Sequence, residues 1–128
     1  MGAVLVRHEP TSAALVRRRL AAVLADFDVA PDTVDDVLLV ASELVGNAVR
    51  HARAVPPDAL DVSWSIDGPS LTVSVTDGSA ELPRLQRPEP SAPAGRGLAI
   101  VEALSDAWGV ERSPGGKRVW ARIALRSA

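Results

Sequence analysis

Glu43, Asn47, Arg50 and His51 all lie in one short stretch, Glu43-Leu-Val-Gly-Asn47-Ala-Val-Arg50-His51, inside an apolar-periodic segment. At about 100° per residue on a helix, Glu43, Asn47 and His51 share an arc of roughly 80°, with Arg50 on its flank. The arc is turned away from the apolar stripe, yet Leu39, Val40 and Gly46 keep its surroundings apolar. Asparagine is a mediocre helix former, so its place in mid-helix invites a job. Its amide oxygen is a hard, neutral ligand of the kind Mg²⁺ accepts, because that ion keeps several waters and takes few protein groups besides phosphates. A glutamate one turn earlier can hold one of those waters, or take the proton from an attacking hydroxyl, which is a weak nucleophile without a base in reach. The plainer reading, two surface charges and an incidental asparagine, stands beside this one.

Two further pieces follow in the chain. Asp77 ends the alternating run Val73-Ser-Val-Thr-Asp77 and precedes Gly78. Asp-Gly is a common turn; it also suits a carboxylate that accepts the exocyclic amine of adenine, with Gly78 letting the base approach closely. A hydrogen bond to a charged group contributes about 1.5–3 kcal/mol, enough to select one purine over another. Gly95-Arg96-Gly97-Leu98 then opens a helix, whose free N–H groups and positive end suit phosphate. No Gly-Lys-Ser/Thr follows, so it is not a Walker motif, and no parallel βαβ unit surrounds it as a dinucleotide fingerprint requires. Ser79 to Ala94 carries Pro83, Pro88, Pro90 and Pro93, which disfavours helix and central strand and fits a binding loop or lid over about 79–96.

Other chemistries are excluded or weakly supported. The chain has no cysteine, which removes disulfides and thiolate metal sites. His8 and His51 lack ligand-spaced partners for zinc. Net charge is −2 and the pI about 5.6, so direct nucleic-acid binding is not indicated. No apolar run approaches the roughly 20 residues needed to span a bilayer, and Val4 to Val6 is too short for a secretory signal; a cytoplasmic protein is expected. Trp64, Trp108 and Trp120 read as sheet packing, and Arg17-Arg18-Arg19 as a solvated helix face with partner docking the minority reading.

The elements that must carry these residues can be read from periodicity. The 128 residues suit one domain, 1–128. Ala3 to Arg7 reads as an edge strand. Thr11 or Ser12 can cap a helix with Val16, Leu20, Val23, Leu24 and Phe27 on its apolar side. Pro31 opens a second helix with Asp32, Asp35 and Asp36 near its positive end and a stripe of Val34, Val37, Leu38, Ala41, Leu44, Val45 and Ala48. Val62, Trp64 and Ile66, a turn at Asp67-Gly68-Pro69, then Leu71, Val73 and Val75 make a hairpin. Leu98, Val101 and Leu104 mark a third helix. Trp108 to Arg112 and Val119 to Leu125, joined at Ser113-Pro114-Gly115-Gly116, close the chain as a second hairpin. The sum is α+β, helices on one face of a mixed, largely antiparallel sheet.

Taken in order, Glu43…Asn47…Arg50-His51, Asp77-Gly78 and Gly95-Arg96-Gly97-Leu98 resemble the N, G1 and G2 boxes of the GHKL (histidine-kinase-like) ATPases. The likeness runs over nearly the whole chain. The shortness, and the run from Ser42-Glu43 to His51, resemble the anti-sigma-factor serine kinases of the RsbW and SpoIIAB type. The resemblance implies a Bergerat-type two-layer α/β sandwich that binds ATP or ADP with Mg²⁺. It implies that Asn47 ligates Mg²⁺, that Glu43 is the general base, that Arg50 approaches phosphate and that His51 lines the nucleotide. It further implies that Asp77 and Gly78 hold adenine and that Gly95, Arg96, Gly97 and Leu98 close on the phosphates. The implied partners are a sigma factor and a STAS-domain anti-anti-sigma protein phosphorylated on serine or threonine, with dimerisation common in such proteins. Two positions depart from the pattern: the G1 box reads Asp77-Gly-Ser-Ala-Glu81 instead of D-x-G-x-G, and Lys117-Arg118 replaces a threonine often found near the start of the last strand. Three functions follow as expectations: an ATP-dependent serine/threonine protein kinase, a non-catalytic protein-binding regulator, and a stand-alone ATPase subunit.

Overall fold

A computed structural model describes residues 2–51, 59–77, 97–113 and 116–127. Along the chain these form β1 (Gly2–Arg7), α1 (Ser12–Leu24), α2 (Pro31–His51), β2 (Ala59–Asp67), β3 (Ser70–Asp77), α3 (Gly97–Leu104), β4 (Ala107–Ser113) and β5 (Gly116–Ala124). The sheet order is β1-β2-β3-β5-β4 and every pairing among these strands is antiparallel. The architecture is α+β, three helices packed against a five-stranded sheet.

Alternation fixes which way each strand faces. Leu60, Val62 and Trp64 of β2, Leu71, Val73 and Val75 of β3, and Val119, Ala121 and Ile123 of β5 are all buried, and the register places them across from one another. This is one core face built from period-2 patterning. The other face is more polar: Ser63 and Ser74, directly opposed, share a hydrogen bond of 2.6 Å. The β2–β3 turn works because Gly68 adopts φ +58° just before Pro69, which only glycine does at no steric cost.

The helices bury period-3.6 stripes against that face. Val16, Leu20 and Leu24 of α1 and Val37, Val40, Ala41, Leu44, Val45 and Ala48 of α2 are buried in one cluster with the strand residues. Each fully buried Val or Leu side chain contributes about 1.5–3 kcal/mol relative to exposure. Val34 and Leu38, expected in the α2 stripe, pack at its margin, and Val40 belongs to the core. Pro31 is the first residue of α2, where its missing N–H costs nothing.

Two expectations for α1 are corrected. Thr11 precedes the helix in helical geometry and makes no capping bond; its hydroxyl donates instead to Glu9 Oε1 at 3.1 Å. Ser12 does not cap either: its hydroxyl donates to the Arg7 carbonyl at 2.6 Å. Phe27 lies beyond the helix end and is 48% exposed, because the chain turns after Leu24 and carries the ring off the stripe. No described helix is long and apolar enough to cross a membrane.

Candidate functional site

The alternation that builds the core also delivers the site. On β3 the inward positions are Leu71, Val73, Val75 and then Asp77, so the last of the row is a carboxylate with 1% exposure. On β5 the inward positions Val119, Ala121 and Ile123 are preceded by Lys117, 3% exposed. Asp77 and Lys117 are register partners, and Lys117 Nζ stands 3.4 Å from Asp77 Oδ2. An apolar row therefore ends in a buried ion pair. Such a pair costs several kcal/mol of desolvation per ion, so its presence is weak evidence for stability.

Helix α2 rests on β3, β5 and α3. Asn47 is buried at 8%, and its carboxamide makes no hydrogen bond among the described residues. Glu43, one turn earlier, is half-buried and has no ion-pair partner among the described residues. Arg50 is exposed. Its guanidinium folds back along the helix, with Nη1 3.0 Å from the position a Cβ on Gly46 would take. Gly46 thus leaves the groove in which Arg50 lies. His51 is the last residue of α2; its side chain lies outside the described residues.

Helix α3 begins at Gly97, so the backbone N–H groups of its first turn lack partners within the helix and suit an anion. Leu98 is buried at 3%; any phosphate contact from it is a main-chain contact. Gly78, Gly95, Arg96 and the lid expected over 79–96 lie outside the described residues.

These groups fit Mg²⁺-nucleotide chemistry on their own terms. A carboxamide that is buried and uncommitted is a suitable single protein ligand for an ion that prefers water and phosphate oxygens. An uncommitted glutamate one turn away is suited to a bound water or a hydroxyl proton. No cluster of three His, Asp or Glu side chains able to hold a metal occurs among the described residues, so such an ion would depend on nucleotide phosphates for retention.

Lys117 is the residue whose place beside Asp77 the sequence reading missed; it registered only as a departure at the start of the last strand. The signal was present: it is the sole lysine of the chain, at an inward position of an alternating strand.

Comparisons with known proteins agree with the fold. The chain matches, over its whole length, part of a structure of the RsbU and RsbW domains of Rv1364c from Mycobacterium tuberculosis, with TM-score 0.72 and 23% identity. It spans 34% of that chain. A second match is the blue-light activated histidine kinase of Erythrobacter litoralis EL346, with TM-score 0.57 and 22% identity over 88% of this chain and 41% of that one. A third is the Acinetobacter baumannii histidine kinase AdeS, with TM-score 0.55 and 14% identity over 99% of this chain and 69% of that one. At these identities the likeness is one of fold. Among curated proteins, none matches. The sequence model of the histidine kinase-like ATPase domain matches residues 6–123. The chain belongs to the histidine kinase-like ATPase domain family.

Proposed function

We propose that this protein is an anti-sigma-factor-like serine/threonine protein kinase. It binds ATP with Mg²⁺ beside the C-terminal half of α2 and transfers the γ-phosphoryl group to a hydroxyl of a STAS-type anti-anti-sigma partner. The observation that carries the reading is the pair Glu43 and Asn47, one turn apart on α2 and uncommitted among the described residues. In this reading Asn47 holds the metal, and Asp77 accepts the adenine amine. Arg50 approaches the phosphates, His51 lines the nucleotide, and the Gly95–Leu98 segment closes on the phosphates. Mg²⁺, when bound, neutralises phosphate charge. Glu43 takes the proton of the attacking hydroxyl as the new O–P bond forms and the bond to the ADP leaving oxygen breaks. The fold match to a chain that carries an RsbW domain supports placing it near that branch.

A second reading, a regulator that binds a sigma factor or another protein without transferring phosphate, is favoured by one observation: Asp77 already faces Lys117. The experiment that separates them incubates the protein and a candidate STAS protein with saturating Mg-ATP and measures phosphate on the partner. Phosphoserine or phosphothreonine on the partner, lost in Glu43→Gln, supports the kinase. A stable complex with no phosphate on either protein supports the second reading.

A further inference from the structure

The buried ion pair contains a basic group that the proposed chemistry does not use. Lys117 is the single lysine in a chain with 13 arginines, and it is 3% exposed. Every other Lys or Arg position of the chain is arginine. The physical difference is geometric. Arginine presents a rigid fork that engages both oxygens of a carboxylate, whereas lysine is a compact point charge with three rotatable donors.

The pairing is also loose. At 3.4 Å the Nζ–Oδ2 separation exceeds the roughly 2.7–2.9 Å of a closed charge-assisted hydrogen bond. Among the described residues Asp77 is the only partner of the ammonium, which has three N–H donors to place. One point contact does not use all three, so a group held this way can take a further acceptor that arrives with a ligand.

We infer that Lys117 is a second base-reading residue, whose ammonium donates to ring nitrogen N1 of adenine while the Asp77 carboxylate accepts from the 6-amino group. The inference rests on reading Asp77 as the adenine acceptor. The chemistry follows from the edge of the base: adenine presents a donor (the 6-amino group) directly beside an acceptor (N1). Asp77 and Lys117 present the complementary acceptor and donor side by side, fixed by strand register. Guanine reverses both positions, with an acceptor at O6 and a donor at N1. Bound base would supply the ammonium with an acceptor besides Asp77. Lys117 thereby takes the place of the threonine common at the start of the last strand and makes base recognition direct.

The test uses the intact chain and two probes, ADP and 1-deaza-ADP, in which N1 is replaced by C–H while the 6-amino group is kept. Affinities are measured by calorimetry. The expected result is that 1-deaza-ADP binds about tenfold or more weakly than ADP, the scale of a lost hydrogen bond to a charged donor. Lys117→Met is expected to weaken ADP and bring the two probes within about twofold of each other. Equal binding of both probes to the native protein overturns the inference and leaves the nucleotide site intact. A gap that persists in Lys117→Met assigns the N1 contact elsewhere and overturns it too. Failure of ADP itself to bind overturns the nucleotide-site reading, and this inference with it. The native-protein comparison stands even where the variant does not fold.

Discussion

Asp77 on β3 and Lys117 on β5 are direct register partners, with the carboxylate 3.4 Å from the ammonium and both side chains almost fully buried. Asp77 is the last inward position of β3, after Val75, and Lys117 is the first of β5, before Val119. The ion pair is therefore continuous with the core, and removing one partner leaves the other charge buried.

The two residues are expected to be coupled in stability. Asp77→Asn alone leaves a buried ammonium without its counter-charge, and Lys117→Met alone leaves a buried carboxylate; each is expected to destabilise by about 3–5 kcal/mol. The double variant is expected to lose far less than the sum. Urea denaturation of the four proteins measures this, and additive losses would show the pair to be energetically independent.

Glu43→Gln is expected to lower phosphoryl transfer to an authentic partner by about 10²–10⁴-fold, the usual range for a positioned base. Nucleotide affinity and stability are expected to stay near native, because Glu43 makes no ion pair among the described residues. Single-turnover transfer of labelled phosphate is the measurement, and an unchanged rate would remove Glu43 from the chemistry.

Asn47→Ala separates a ligand role from a packing role by sign. Alanine is the better helix former by a few tenths of a kcal/mol, and no hydrogen bond of Asn47 is lost among the described residues. Melting temperature is expected to hold or rise slightly while Mg²⁺-dependent nucleotide affinity falls about tenfold or more. Affinity that is unaltered with and without Mg²⁺ would reject the metal role.

Thr11→Ala is expected to change stability by less than about 0.5 kcal/mol, in place of the typical 1 kcal/mol for a true N-cap, because Thr11 makes no capping bond. Ser12→Ala is expected to cost about 1 kcal/mol through loss of its buried bond to the Arg7 carbonyl. Thermal unfolding of both variants checks the order; a larger loss for Thr11 would restore the capping role.

Much of this molecule follows from sequence patterning alone. The period-2 runs of β2, β3 and β5 and the 3.6-residue stripe of α2 identify those elements, since burial on one face dictates their spacing. Phe27 departs from that patterning: it continues the α1 period, but the helix ends at Leu24 and leaves the ring exposed. Helix ends depend on local capping and on what the chain packs against, which periodicity does not record.

The candidate site divides in the same way. Glu43, Asn47 and Arg50 are legible in the sequence because they share one helix, where four-residue spacing already means proximity. Asp77 is legible as the end of an alternating strand. Lys117 lies forty positions further along, and no local rule sets it against Asp77. Only the pairing of β3 with β5 brings the two together. Strand register acts between distant segments, through hydrogen bonds and a shared buried face, so it is decided by the assembled sheet.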